Sequence, residues 1–143
     1  MAIAADWRPR LVALDIDGTI LHHDTTLSPR VRDAVQSHIE AGTHIVIATG
    51  RGVRGTQVVL EELGIDDGIA VVSNGAMIIS IGEAEHGRPA TDFNGGVASA
   101  SVPVRLLRAH TFSPHKEIEL ITAGLPEAVI AVESLTGPTR ISG

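Results

Sequence analysis

The stretch that decides the fold is Leu11-Val12-Ala13-Leu14, followed directly by Asp15-Ile16-Asp17-Gly18-Thr19-Ile20-Leu21. Four apolar residues in a row predict a strand buried on both faces of a parallel sheet. Residues two apart on a strand share a side, so Asp15 and Asp17 converge beyond its carboxyl end. In open parallel sheets that end is where ligands bind. Gly18 lets the backbone turn sharply and leaves room for a ligand. Two carboxylates this close repel unless a proton or a cation stands between them. A hard divalent ion held by a few oxygens and waters removes the repulsion, and Mg²⁺ is the usual choice beside phosphate. One carboxylate is then placed to attack phosphorus, and the other to protonate a leaving oxygen and activate water. The plainer alternative is a turn at a strand end, where Asp and Gly are common.

Working outward, strand and helix signals alternate over the first 80 residues. Ser28-Pro29 supplies an N-cap and a proline at the first helical position. Val31, Ala34, Val35, His38 and Ile39 follow at helical spacing, and Gly42 stands where a left-handed C-cap is wanted. His44 to Ala48 is a second apolar strand, Val53 to Leu63 a second helix ending at Gly64, and Ile69 to Val72 a third strand. Strand–helix–strand–helix–strand implies right-handed crossovers and a doubly wound α/β sheet. After Asn74 the pattern changes. Met77 to Ile81 reads as a further strand, and Gly82 to Ser101, poor in large apolar residues, as a connection. Val102 to Leu107 and Ala128 to Val132 read as strands, with a helix from Ser113-Pro114 to about Leu125 between them. The expected organisation is residues 1–82, a connection over 83–101, and a second, incomplete unit over 102–143.

Two more segments follow apolar strands. In Thr49-Gly50-Arg51 the hydroxyl and nearby amides suit a phosphate oxygen, and Gly50 removes the Cβ that would block its approach. Arg51 either pairs with phosphate or substrate or lies on the surface. In Ser73-Asn74-Gly75-Ala76 the Asn-Gly pair is the strongest tight-turn signal, so this segment is a hairpin turn, a ligand contact, or both. His22-His23-Asp24 is read as a solvated loop, since adjacent residues on a strand diverge and no further ligand stands at zinc spacing. Arg105 and Arg108 do not make a basic patch.

Composition bounds the function. The 143 residues carry 11 Lys+Arg against 17 Asp+Glu, a formal net charge of −6, which argues against a general nucleic-acid or anionic-membrane binder. There is no cysteine, so disulfides, thiolate metal sites and cysteine nucleophiles are excluded. No apolar run approaches the ~18 residues of a membrane span, and Met1 to Arg10 has no apolar signal core, so a cytoplasmic protein is expected. Aromatic residues are only 2%, so the core must be built from Val, Ile, Leu and Ala.

With these three motifs in order, the chain resembles the haloacid dehalogenase superfamily of phosphatases, in the Cof-like branch whose α/β cap is inserted after the third core strand. The motifs are Asp15 to Leu21, Ala48 to Arg51 and Ser73 to Ala76, and the resemblance covers about residues 10–80 well. It implies a Rossmann-like core and the start of a cap. It also implies Mg²⁺-dependent hydrolysis of a small phosphorylated metabolite through an aspartyl-phosphate. Under it Asp15 is nucleophile and metal ligand, and Asp17 is acid/base, with its backbone carbonyl also reaching Mg²⁺. The Ile16 backbone, Thr49 and Gly50 hold the phosphoryl group, with Arg51 and Asn74 near the substrate. The family's bridging lysine and late acidic metal loop have no counterpart. The only lysine is Lys116, in the cap-like stretch, and Asp66-Asp67 lies in a turn. The expectation is therefore an amino-terminal portion of a longer phosphatase, prone to self-association through its incomplete core. The rival readings are a non-catalytic fragment with residual Mg²⁺ and phosphate binding, and a receiver-like signalling module. The latter needs a second acidic pair before the first helix and a late lysine, and has neither.

Overall fold

A computed structural model describes residues 7–82, 88–89, 102–135 and 139–142. In chain order the elements are β1 (Leu11–Leu14), α1 (Pro29–Glu40), β2 (His44–Ala48), α2 (Val53–Leu63), β3 (Gly68–Val72), a 3-10 turn (Ser73–Gly75) and β4 (Met77–Ile81). They continue with β5 (Arg88–Pro89), β6 (Val104–Ala109), α3 (His115–Gly124), β7 (Ala131–Val132) and β8 (Arg140–Ile141). One six-stranded sheet runs β1-β2-β3-β4-β6-β5, and β7 and β8 form a separate antiparallel pair. β1, β2 and β3 are parallel, whereas β4, β6 and β5 join by antiparallel pairings. The parallel half is the Rossmann-like part anticipated from the sequence.

Local chemistry sets the helix ends. The Ser28 side chain accepts from the Val31 amide at 3.2 Å, Pro29 opens α1, and Gly42 follows it with φ +79°. α2 ends on Gly64 in the left-handed conformation. There the Gln36 side chain, reaching over from α1, donates to the carbonyls of Leu63 (2.6 Å) and Gly64 (3.1 Å). One helix thus satisfies the terminal carbonyls of the next.

The core lies between these helices and one face of the sheet. Ile45 and Ile47 of β2, Ala70 and Val72 of β3, and Val59, Leu60 and Leu63 of α2 are all buried. The residues between them on the strands are less covered, and α1 and α2 touch one another, so both helices lie on the same face. This corrects the reading of β1. Its apolar run predicts burial on both faces, yet Leu11 is 55% exposed and Ala13 is exposed as well. The strand is at an edge of the sheet, and among the described residues only its helix-facing side is packed.

Past β4 the sequence is a poorer guide. The strand expected at Val102 to Leu107 runs from Val104 to Ala109 and pairs with β4, extending the same sheet. The helix expected from Ser113-Pro114 begins at His115, and Pro114 in the N-cap position offers no capping side chain. Ala128 to Val132 yields only the two residues of β7, paired to Arg140–Ile141. Apart from Arg88 and Pro89, the connection expected over 83–101 lies outside the described residues. No described helix is long and apolar enough to cross a membrane.

Candidate functional site

Parallel register brings the three motifs to one end of the sheet. Leu14 lies opposite Ile47 and Ala48 opposite Val71, so the chain leaves β1, β2 and β3 side by side. At the first exit Ile16 is fully buried, and its carbonyl accepts from the amides of Thr19, Ile20 and Leu21 at 3.3, 3.0 and 2.9 Å. Gly18, with φ +75°, returns a bond from its amide to the Leu21 carbonyl at 3.1 Å. The buried Ile16 is the anchor that leaves its two neighbours, Asp15 and Asp17, exposed. Asp15 accepts from the Thr19 hydroxyl at 3.2 Å.

Asp17 has a stronger partner. Arg51 donates to it through both arms of the guanidinium, Nη2 to Oδ1 at 2.6 Å and Nε to Oδ2 at 3.0 Å. The hydrogen bonds from Arg51 hold the Asp17 carboxyl below its ordinary value, outweighing the opposing desolvation, and the Arg51 charge adds a lesser pull in the same direction. The same bonds raise Arg51 above its ordinary value. The structure thus puts Arg51 on an acidic residue of the first motif, a partner that neither reading of the sequence named.

The second and third motifs interlock. Thr49 is nearly buried, and its hydroxyl oxygen accepts from the Arg51 amide at 3.2 Å, leaving the hydroxyl proton free for another acceptor. The turn after β3 is pinned to this loop by Ser73 N–H donating to the Arg51 carbonyl (2.8 Å) and Asn74 N–H to that of Thr49 (3.2 Å). A Cβ on Gly50 would meet Asn74 Oδ1 at 3.0 Å, so glycine is what lets Asn74 lie over the loop. Ser73, Asn74 and Gly75 all have positive φ (50°, 54° and 90°), a tight reversal that turns β3 back into β4. The Asn-Gly signal is therefore a hairpin turn that also abuts the phosphate-binding candidate. Asp15, Ile16, Asp17, Thr49, Gly50, Arg51 and Asn74 all gather at this end of the sheet.

Sequence reasoning missed Glu133. It follows β7, and its Oε2 accepts from the Ser73 hydroxyl at 2.9 Å. No signal in the sequence could have placed it there, since 60 residues separate it from Ser73.

A divalent cation is tested against these donors. Asp15 and the Asp17 backbone offer hard oxygens at an exposed position, which suits Mg²⁺, an ion that keeps several waters and needs only one or two carboxylates beside phosphate. Among the described residues no group of three or more His, Asp or Glu stands at metal-binding distance.

Comparison with known proteins agrees with this geometry. Residues 12–99 match the family model for haloacid dehalogenase-like hydrolases. YxeH of Bacillus subtilis (strain 168) is 39% identical over 71 residues, 48% of this chain and 26% of that protein. The 5-amino-6-(5-phospho-D-ribitylamino)uracil phosphatase YwtE of the same organism is 30% identical over 91 residues, 64% of this chain and 31% of its own. BT1666 of Bacteroides thetaiotaomicron, a phosphatase of the haloalkanoate (HAD) enzyme superfamily, superposes with a TM-score of 0.62. It does so at 20% identity, over 94% of this chain and 42% of that one, a likeness of fold. The chain thus spans between a quarter and a third of the length of these two curated relatives. By its matched residues, and by the ordered convergence of its motifs on one sheet end, the chain belongs to the haloacid dehalogenase-like hydrolase family.

Proposed function

We propose that this chain supplies the nucleophile-bearing part of a cytoplasmic, Mg²⁺-dependent phosphomonoester hydrolase that works through an aspartyl-phosphate. The observation that carries the reading is the placement of Asp15 and Asp17 on the exposed side of one strand end, with Arg51 and Thr49 beside them. Asp15 attacks phosphorus: the new Asp15 Oδ–P bond forms as the P–O bond to the alcohol breaks. Asp17 gives that departing oxygen its proton and later takes one from the water that cleaves the acyl phosphate. To do so it must leave Arg51, whose guanidinium then turns to the phosphoryl oxygens, a bidentate match. The Thr49 hydroxyl and the amides of its loop hold those oxygens in place. When bound at Asp15 and the Asp17 carbonyl, Mg²⁺ supplies neutralisation of the phosphoryl charge.

The substrate is read as a small phosphorylated metabolite. That YwtE is named for a substrate carrying a phosphorylated ribityl chain supports a monophosphate of a polyol-bearing compound. In this reading residues 1–82 are the first half of the core, 83–101 a connection and 102–143 the opening part of a cap, with β6 tied into the core sheet.

The test is binding of beryllofluoride with Mg²⁺, followed by ¹⁹F NMR. The wild-type chain is expected to give a bound signal, and Asp15→Asn to lose it with an unchanged circular-dichroism spectrum. A bound signal retained in Asp15→Asn removes Asp15 from the role of nucleophile. A second reading, a Mg²⁺- and phosphate-binding module without turnover, is favoured by one fact: the only lysine, Lys116, is on exposed α3. Turnover of p-nitrophenyl phosphate, however slow, that Asp15→Asn abolishes supports the first reading, and phosphate binding with no Asp15-dependent turnover supports the second.

A further inference from the structure

The ion pair between Arg51 and Asp17 joins a fixed root to a movable head. The Arg51 backbone is pinned on both sides: its amide donates to the Thr49 hydroxyl oxygen at 3.2 Å, and its carbonyl accepts from the Ser73 amide at 2.8 Å. Its stem lies against the first turn of α2, where a Cβ on Gly55 would meet Arg51 Cδ at 3.6 Å. The guanidinium, by contrast, bonds to Asp17 alone among the described residues. Both side chains reach solvent, Arg51 at 26% and Asp17 at 58% exposure. Ion pairs so exposed are weak. A change of side-chain rotamer is therefore enough to move the Arg51 head from one partner to another, with no backbone displaced.

We propose that this pair is an autoinhibitory latch on the site, opened by the phosphate dianion itself. The inference rests on the phosphate site proposed above and adds how that site is kept idle when empty. With both oxygens bonded to the guanidinium and its charge matched, Asp17 has no proton to give and little tendency to take one. An arriving phosphate offers two oxygens to the same planar fork, with twice the charge of a carboxylate. Losing Arg51 leaves Asp17 unpaired and able to move a proton. The phosphoryl group keeps the arginine while it is carried on Asp15, and its departure as product lets the pair re-form. Binding must first break the pair, so the apparent affinity for phosphate is reduced by the fraction of molecules in which Arg51 is free.

The test is a double-mutant cycle read by isothermal titration of the 143-residue chain with inorganic phosphate. Asp17→Ala should tighten phosphate binding by roughly two- to sixfold, the range an exposed pair can withhold. The same substitution made on Arg51→Ala should do little, because no latch is left to open. Screening at about 0.15 M salt keeps the plain loss of a negative charge small in both backgrounds. An equal gain in the two backgrounds, or no gain in wild type, overturns the latch and leaves the phosphate site standing. The ¹⁵N resonance of Arg51 Nε gives an independent reading. Phosphate should move it in wild type to the position it takes in phosphate-bound Asp17→Ala, and a resonance that stays in place while phosphate binds overturns the latch. Failure of both wild type and Asp17→Ala to bind phosphate overturns the site and the proposal together.

Discussion

At the scale of single residues, the loop after β1 offers a clean titration. Asp24 accepts from the Thr26 hydroxyl at 2.6 Å and from the Thr26 amide at 3.1 Å. The side-chain bond first, then the backbone bond, hold its carboxyl below the ordinary 3.8. A depressed carboxylate gives stability that is whole above the unfolded value and is lost as pH falls through the folded one. Thr26→Val should therefore raise the Asp24 midpoint in a ¹³C-detected carboxylate titration and leave stability at neutral pH with only the loss of the bond itself. A midpoint that does not move would show that the turn, not Thr26, sets it. The aspartates, Thr49, Gly50 and Asn74 were legible at this scale because each follows an apolar strand directly, so chain order alone fixed their meeting. The pairing of Arg51 with Asp17 was not, since 34 residues separate them and only the β1–β2 register brings them into reach.

Elements differ in how much of themselves they declare. α1 and α2 carry their own punctuation, Ser28-Pro29 before one and Gly64 after the other, and each lies where the sequence puts it. The same Ser-Pro pattern before α3 marks the helix but not its cap, because Ser113 Oγ sits 3.5 Å from His115 Nδ1 and the proline itself takes the cap position. β7 and β8 are two residues each, too short for any periodicity to show. Two substitutions probe the element junctions. Gln36→Ala removes the side chain that closes α2 and should cost about 1 kcal/mol, the usual worth of such hydrogen bonds, measured by urea melts. Gly82 has φ +85°, and a Cβ there would lie 2.5 Å from the Asp66 carbonyl oxygen. Gly82→Ala should thus cost more, about 1–3 kcal/mol for the strained backbone alone, and equal losses for the two variants would contradict this packing.

For the molecule as a whole, packing is concentrated in the first 82 residues and in β6. α3 buries none of its residues, and Leu120, Leu125, Val129 and Ile141 are all more than 60% exposed. Exposed apolar side chains in this number favour association, and among the described residues the edge strand β1 adds unpaired backbone. The 143-residue chain is expected to self-associate in light scattering, and Leu120→Ser with Leu125→Ser to reduce that without lowering the melting temperature. Its p-nitrophenyl phosphate turnover should be low, because each missing charge stabiliser typically costs on the order of 10²–10³ in rate and both the lysine and the acidic loop implied by the resemblance are absent. Ordinary turnover that Asp15→Asn abolishes would mean that the chain finds those groups elsewhere.

The turn of three left-handed residues has a kinetic consequence. Among the described residues β3 and β4 are the one strand pair joined by so short a reversal, whereas β1 meets β2 only after some thirty residues have been brought round. Closing the short loop takes microseconds and costs the least chain entropy, so the β3–β4 ribbon is the natural nucleus for the sheet. Asn74→Ala should then slow refolding in stopped-flow mixing, and Asn74→Gly should restore the rate while still lacking the amide that lies over Gly50. On that outcome, the residue that lies over Gly50 would also set the pace at which the molecule first forms.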